Sequence, residues 1–279
     1  MIMYYLLTQT FKEQEKVLVE LILKIDTVEC IYMLGSSLSQ RRTETIFLTD
    51  APSCRSVGHY YLLVLVNKDA KYSHNDLQDR IENTCRSFIP VTSIVLSVEQ
   101  FTNWLLEGHR FAYTIQKIAV LLYNGSNISF PFSTSSDNST SVLADEEKWT
   151  AQYNIVNEFI AGAELYLIRK QNNMAMFMLH QAAEQSLRLL LKIGTGLHIN
   201  THNIDKLIRY CSMAYYKIEE IFPRNNEKNE RLFLLLQKAY IHARYKDDFK
   251  IKVDDILVIK ERVKNIQHLL LTPKDKVLF

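Results

Sequence analysis

The sequence of 279 residues lacks several features that would place it in a specialised class of protein. Its four cysteines (Cys30, Cys54, Cys85 and Cys211) form no CxxC pair, which argues against a zinc site and against a disulfide framework. No run of about 18 apolar residues occurs, so no membrane contact through a spanning helix is expected. The first residues contain neither a basic segment nor a small-residue cleavage site, and we therefore expect a cytoplasmic protein with free thiols.

Acidic residues are missing from two stretches in the first half of the chain. No Asp or Glu lies between Asp50 and Asp69, and none occurs over residues 85–98. Both stretches contain a predicted strand. A magnesium site for nucleotidyl transfer would take two carboxylates from positions i and i+2 of one strand and a third from the next strand. The absence of these acids therefore argues against bound magnesium and predicts no metal ligands.

What the chain does contain is an uneven distribution of charge. Residues 1–149 hold 13 Lys and Arg against 17 Asp and Glu, a net charge of −4, whereas residues 150–279 hold 20 against 14, a net charge of +6. The basic half is compatible with contact to phosphate or nucleic acid, and equally with a solvated helical surface.

A polar segment near the middle of the chain predicts a domain boundary. Residues 124–147 are rich in Ser, Thr and Asn, show no apolar period and are long for a connection inside a compact domain. We therefore predict an N-terminal domain over residues 1–123, a linker over 124–147 and a C-terminal domain over 148–279.

Helix and strand patterns alternate in the N-terminal domain. Apolar spacing predicts helices over residues 12–25, 73–88 (with Ser73 as the N-cap) and 101–123 (broken at Gly108). Apolar and β-branched runs predict strands over residues 28–34, 59–67 and 91–98. The first strand should end at Gly35, and the second should be buried on both faces. The pattern is that of a mixed α/β domain.

After the polar segment every strong pattern is helical. Apolar spacing predicts five helices, over residues 146–170, 173–194, 203–222, 226–249 and 253–271. Short polar turns between amphipathic helices favour antiparallel packing in a bundle. The fold class predicted for the whole chain is thus α+β, with a mixed α/β domain followed by an all-α antiparallel helical bundle.

Gly35-Ser36 is the first candidate binding site, because the amides of a glycine-containing turn can approach phosphate groups closely. His59 and Tyr61 occupy the two positions on the following strand where carboxylates would stand. With the apolar strand GHYYLLVLV, these residues resemble the minimal nucleotidyltransferase domains of prokaryotes over about residues 12–126. The resemblance implies a nucleotidyltransferase-like fold that has lost its metal ligands. A generic α/β domain is the alternative.

Three separated motifs mark the helical half: FMLHQAAEQ at 177–185, THNIDKL at 201–207 and AYIHARY at 239–245. In this order they resemble the HEPN domain, a bundle of four to five helices that often follows a nucleotidyltransferase-like domain. The resemblance covers about residues 150–271. It implies nucleotide binding, RNA cleavage in toxin members of the family and dimers built through the bundle.

Polar residues within these motifs are the candidate site residues of the bundle. His180, Glu184 and Arg188 are spaced i, i+4 and i+8 and so share one helix face. For nucleotide binding we select, besides Gly35 and Ser36, the residues His180, His202, Tyr240 and Arg244; for catalysis, the candidates are His180, Glu184 and Arg244. Each also has a structural interpretation: a helix-face hydrogen bond between His180 and Glu184, capping or packing by His202, packing by Tyr240 and a salt bridge of Arg244 with Asp247 or Asp248.

The ribonuclease members of the family carry an Arg followed, after four to six residues, by a His. That spacing is absent here, since Arg231 and His242 are too far apart and His242 precedes Arg244. A histidine on another helix, His180 or His202, could still act as a general base. Catalysis therefore stays open as an alternative.

Three functions follow as hypotheses from the sequence. The first is a nucleotide- or RNA-binding protein, dimeric through its bundle, with an inactive nucleotidyltransferase-like domain and an ATP-like nucleotide as its only expected cofactor. The second is a ribonuclease or nucleotidyltransferase of a toxin–antitoxin or defence system. The third is a structural protein whose bundle mainly builds a homodimer.

Overall fold

The computed structural model describes residues 2–41, 54–132, 142–215, 217–245 and 251–271, with backbone only at 2–10, 39–41, 54–56, 142–146 and 244–245. It divides into two compact units, residues 1–136 and 137–279, which we describe separately. None of the described helices is long and apolar enough to cross a bilayer.

The N-terminal unit is a four-stranded sheet with helices. Its helices are α1 (Ile2–Leu23), α2 (His74–Cys85), α3 (Val98–Leu106) and α4 (Arg110–Ile118). Its strands are β1 (Cys30–Arg41), β2 (Cys54–Val66), β3 (Val91–Ser97) and β4 (Val120–Asn124). The strand order is β3-β2-β1-β4, with β2 parallel to β3 and the other two pairs antiparallel. The predicted mixed α/β domain is confirmed.

The apolar run of β2 forms the centre of this unit. Leu62, Val64 and Val66 pack in one core with residues of α1 and α2, while the intervening Leu63 and Leu65 are also fully buried. The prediction of a strand buried on both faces is therefore confirmed. Burial of each such side chain contributes roughly 1.5–3 kcal/mol, which makes β2 the main hydrophobic anchor of the unit.

The predicted turn at Gly35-Ser36 is wrong. β1 continues through both residues to Arg41, with Gly35 opposite Tyr61 and Ser36 opposite Tyr60 on β2. A register irregularity between Met33 and Gly35 leaves the ladder intact on either side. The local turn propensity of Gly and Ser is overridden here by pairing with a long neighbouring strand.

The helix predicted over residues 101–123 is wrong in its last five residues, because α4 ends at Ile118. Gly108, with φ of 67°, separates α3 from α4 as predicted, but residues 120–124 form β4 and pair with β1. A short apolar run such as VLLY fits a strand as well as a buried helix, and periodicity does not distinguish them. Here the run forms a strand because it pairs with the open edge of β1.

The predicted linker over 124–147 also differs from the structure at both ends. The side chain of Asn124 accepts from the Ile128 amide and donates to the Ile128 carbonyl, and the Phe130 ring meets Phe101 edge-on at 5.2 Å. The first part therefore packs on the N-terminal unit. A helix begins at Val142, and residues 133–141 lie outside the described residues.

The C-terminal unit is helical. Its helices are α5 (Val142–Ile168), α6 (Asn172–Thr195), α7 (Ile204–Cys211), α8 (Ile218–Ile221), α9 (Glu227–Tyr245) and α10 (Val253–Leu270). The helix predicted over 203–222 is two helices, because the chain turns after Cys211 and packs Ala214 and Tyr215 against α6. Helix α6 is central and contacts α5, α7, α9 and α10.

Side-chain contacts confirm the predicted antiparallel packing. Along α5 and α10, Asn157 meets Gln267, and the later residue Glu164 meets the earlier residue Lys260. A bidentate ion pair between Arg231 and Asp255, with N–O distances of 2.8 and 2.7 Å, joins α9 to α10. The bundle is thus held by an apolar core and by polar contacts at its periphery.

Gly194 marks the closest approach in the bundle. It was predicted to end α6, but the helix continues to Thr195 and Gly196 provides the left-handed cap with φ of 83°. A Cβ at Gly194 would lie 2.6 Å from the Cβ of Ala214 and 3.0 Å from Tyr215 Cε2. The glycine is therefore needed for packing.

We expect Gly194→Ala to destabilise the protein by roughly 1–3 kcal/mol, because the added methyl group overpacks the contact with Ala214. Gly162→Ala is the matched control, since its Cβ would lie 3.6 Å from the flexible Met178 sulfur. That change should stabilise α5 by about 0.5–1 kcal/mol through helix propensity. Urea unfolding measures both, and equal effects of the two substitutions would contradict this account.

Candidate functional site

A buried carboxylate lies at the centre of the bundle's polar cluster. The Glu184 side chain is only 1% exposed. Its Oε1 accepts from Arg188 Nη2 at 2.9 Å, and its Oε2 lies 2.9 Å from His202 Nδ1. Since an ionised carboxylate only accepts hydrogen bonds, Nδ1 of His202 carries a proton and donates it. Glu184 on α6 thereby binds two donors, the cationic Arg188 and the protonated Nδ1 of His202.

His180 lies one helical turn before Glu184 and is fully buried. Its Nδ1 donates to the carbonyl oxygen of Leu236 on α9 at 2.9 Å. Its Nε2 lies 3.5 Å from Glu184 Oε2 and has no hydrogen-bond partner among the described residues. The hydrogen bond predicted between His180 and Glu184 is thus a long contact, and the imidazole mainly ties α6 to α9.

Arg188 connects the cluster to the loop before α7. Besides Glu184, its Nη2 donates to Asn200 Oδ1 at 3.2 Å and to the Thr201 carbonyl at 3.0 Å. The cap of α7 is Asn203, whose Oδ1 accepts from the Lys206 amide at 3.0 Å. The suggestion that His202 caps this helix is therefore wrong, and the loop presents the His202 side chain to the cluster instead.

The His202 ring lies on the ring of Tyr240 from α9. The two ring centroids are 4.2 Å apart and the planes are 16° from parallel, which is a stacked geometry. Tyr240 Oη is 3.2 Å from His202 Nε2. The His202 side chain is 50% exposed, so an imidazole held from below by a buried carboxylate presents its outer surface to solvent.

The environment of Glu184 lowers its pKa below the ordinary value of 4.5. Burial alone raises the pKa, because it disfavours the charged form. The contacts with His180 and His202 and the positive charge of Arg188 outweigh that effect. Glu184 is therefore ionised at neutral pH despite its burial.

The structure brings four of the predicted bundle residues together: His180, Glu184, His202 and Tyr240. Arg244 lies in the last turn of α9, and its side chain lies outside the described residues. Two partners of the cluster were not predicted from the sequence: the carbonyl of Leu236 and the loop residue Asn200. Neither has a local signal, since backbone acceptors and loop contacts depend on how the helices pack.

The other candidates, Gly35 and Ser36, lie in the N-terminal unit on a sheet that carries polar groups nearby. His59 Nε2 lies 2.8 Å from Thr92 Oγ1, and the His59 ring meets Tyr61 at a centroid distance of 4.8 Å. The two residues at the expected carboxylate positions thus contact neighbours of the sheet. No group of three or more His, Cys, Asp or Glu that could hold a metal ion occurs within the described ranges.

The described cysteines are poor nucleophiles. Cys30, Cys85 and Cys211 are buried free thiols. Burial raises the pKa of Cys30 and of Cys85 to about 11, so both stay protonated at neutral pH. The Cys54 side chain lies outside the described residues. The prediction of free rather than disulfide-bonded cysteines is confirmed for these three.

Comparison with known proteins identifies the bundle. Residues 152–272 match the family model of the HEPN domain, and the C-terminal unit is therefore a HEPN domain. A solved structure of a nucleotidyltransferase-like protein from Exiguobacterium sibiricum 255-15 is similar over 90% of this chain and 72% of that chain, with 14% sequence identity and a TM-score of 0.29. A TM-score this low is not evidence for a shared fold or a shared activity. No protein of curated function matches the chain.

We expect Glu184→Gln to reduce stability at neutral pH by roughly 1–3 kcal/mol, because charge-assisted hydrogen bonds in a buried cluster are weakened. Since the folded-state pKa lies below the ordinary 4.5, the carboxylate stabilises the fold above that pH, and this contribution is lost as pH falls through the folded value. The difference in free energy of unfolding between wild type and Glu184→Gln should therefore become smaller as the pH is lowered.

Urea unfolding between pH 7 and pH 3 measures this narrowing. The control is Glu158→Gln at an exposed position of α5, which should follow wild type across the series. If the difference in free energy of unfolding between wild type and Glu184→Gln stayed constant over this range, the assignment of an ionised, stabilising carboxylate would be contradicted.

Proposed function

We propose that the HEPN domain binds a nucleotide, or a nucleotide unit of RNA, against the outer face of His202. The observation that supports this is the half-exposed imidazole stacked on Tyr240 and hydrogen-bonded to the buried Glu184. Aromatic rings that remain partly exposed offer stacking surfaces to bases, and such stacking is worth about 1–3 kcal/mol per base.

The cost of the cluster also favours a functional interpretation. Burying a carboxylate and an arginine together is often no more stabilising than apolar packing of the same volume. In this bundle the ion pair between the buried Glu184 and the partly buried Arg188 instead holds a loop residue, His202, in one orientation at the surface. A pre-oriented ring loses little conformational entropy when a ligand stacks on it.

For the N-terminal unit we propose a nucleotidyltransferase-like domain without nucleotidyl-transfer activity. His59 and Tyr61 stand where the two carboxylates would be expected, and His59 contacts Thr92. An imidazole and a phenol are poor ligands for magnesium, which prefers carboxylate, phosphate and water oxygens. We expect nucleotide binding by the protein to be independent of magnesium coordination at this sheet.

We expect a nucleotide or a short single-stranded RNA at 100 times its Kd to stabilise the protein by about 2.7 kcal/mol. His202→Ala should abolish that thermal shift, because both the stacking surface and the link to Glu184 are lost. His198→Ala is the matched control, since His198 is an exposed histidine of the same loop. Its shift should equal that of wild type.

Each variant is compared with its own ligand-free melting temperature, so a lower baseline in His202→Ala does not confuse the result. The RNA is recovered after each measurement and sized on a gel, and intact RNA supports binding without cleavage. Equal shifts in His202→Ala and wild type, or no shift with any nucleotide or RNA, would refute binding at this face.

We further propose that the protein forms a homodimer through its bundle. Helix α5 leaves apolar side chains on its outer surface, with Ile155 49%, Leu165 54% and Ile168 79% exposed. Leu165 and Ile168, spaced i and i+3, are neighbours on the helix surface, and clustered exposed apolar residues are typical of an interface.

We expect light scattering at micromolar concentration to give about twice the chain mass of 32.6 kDa. Leu165→Lys should shift the protein towards monomer, because a charge would have to be buried in the interface. Ile118→Lys, at an apolar position 75% exposed in the other unit, is the control and should leave the mass unchanged. A wild-type monomer would end this proposal.

A further inference from the structure

We propose that Nε2 of His202 accepts a hydrogen bond from the ligand. This rests on the proposed binding at His202 and makes it more specific. The ligand is then recognised at this atom by an N–H or O–H group and not by a phosphate oxygen. A ribose hydroxyl and an exocyclic amine of a base both supply such a donor, and the experiment below separates them.

The contact with Glu184 selects one tautomer of His202. Its Nδ1 lies 2.9 Å from Oε2 of Glu184, which is ionised and accepts hydrogen bonds only. Nδ1 therefore holds the imidazole proton. In the neutral ring the second nitrogen, Nε2, then has a lone pair and is an acceptor, because the hydrogen bond at one nitrogen sets the state of the other.

The lone pair of Nε2 has a direction that is set by the imidazole ring. The lone pair of Nε2 lies in the plane of the imidazole, on the side of the ring away from Nδ1 and hence from the buried Glu184. Tyr240 Oη is 3.2 Å from Nε2, but the two rings are stacked at 16° from parallel, so the phenol oxygen lies above the imidazole plane. Hydrogen bonds so far from the lone-pair direction are weak.

The orientation of the imidazole is fixed by its neighbours. Glu184 cannot turn away easily, because Arg188 Nη2 holds its other oxygen at 2.9 Å. The same Arg188 nitrogen holds the carbonyl of Thr201, the residue next to His202, at 3.0 Å. Because the imidazole is also stacked on Tyr240, the Nε2 lone pair has a defined direction, and the side chain that carries it is 50% exposed.

The consequence is a preference for one ligand chemistry. Phosphate oxygens at neutral pH are hydrogen-bond acceptors, so their lone pairs would repel the lone pair of Nε2. Hydroxyl and amine hydrogens fit it, and a base stacked on the ring would bring its own ribose or a neighbouring amine close by. An analogue that lacks the donor should bind more weakly, since it would cover the Nε2 acceptor without supplying a hydrogen bond to it.

The first measurement is the protonation state of His202 in the full-length protein, read from ¹⁵N chemical shifts of its ring at neutral pH and assigned with His202→Phe. We expect a protonated Nδ1 and a bare Nε2. A proton on Nε2, alone or together with one on Nδ1, overturns the inference. This result does not depend on any ligand.

The second measurement is the affinity for ligands that differ by one donor. Fluorescence anisotropy compares an oligoadenylate RNA with its 2′-deoxy counterpart, and with an RNA in which purine replaces adenine and the amine is missing. One of the two changes should weaken binding about three- to tenfold in wild type, as expected for one hydrogen bond. His202→Phe keeps the stacking ring and should lose that discrimination.

The outcomes separate the two proposals. If no oligonucleotide binds, the proposed function fails and this inference fails with it. If the RNA binds but wild type discriminates neither analogue, or His202→Phe discriminates as wild type does, the inference alone is wrong. If wild type discriminates against the 2′-deoxy chain and His202→Phe does not, the ribose hydroxyl is the donor. If the same holds for the purine chain instead, the base amine is the donor.

Discussion

The ionised carboxylate of Glu184 is the interaction on which the bundle's candidate site depends. It is buried on the central helix α6, and it is kept charged by Arg188 and the two imidazoles. Through Arg188 it fixes the loop before α7, and through His202 it reaches the ring of Tyr240 on α9. The Glu184 charge therefore connects α6 to the loop before α7 directly and to α9 through the His202 ring. The apolar core packs the helices, and this charge sets the orientation of the polar residues between them.

The two units represent different ways of using polar residues. In the N-terminal unit the apolar strand β2 is buried on both faces, and the polar side chains His59 and Thr92 contact each other within the sheet. In the HEPN domain, by contrast, a buried polar cluster supports a half-exposed ring. The hydrogen bonds from Arg188 and His202 to Glu184 rigidify this cluster, while Nε2 of His180 and Nε of Arg188 have no hydrogen-bond partner among the described residues. The bundle is thus the part of the chain in which a rigid surface site is best supported.

Local rules predicted what depends on local spacing. The Ser73 cap, the break at Gly108 and the shared face of Glu184 and Arg188 all follow from neighbours within one or two helical turns. The failures occurred where a distant partner decided the outcome. Gly35 is drawn into a strand by Tyr61, and the stack of His202 on Tyr240 joins residues 38 positions apart. No pattern along the chain encodes such a contact, because it follows from the packing of α6 against α9 and from the length of the loop.

The sharing of Glu184 by Arg188 and His202 has a consequence for how this domain can diverge. A substitution at any of these three positions leaves a charge or a donor without its partner in a buried setting, so its effect depends on what occupies the other two. A substitution at one of the three positions should lower stability more than a coordinated replacement of all three. Among related sequences we therefore expect the three positions to covary, with the aromatic residue at 240 following the identity of the ring at 202.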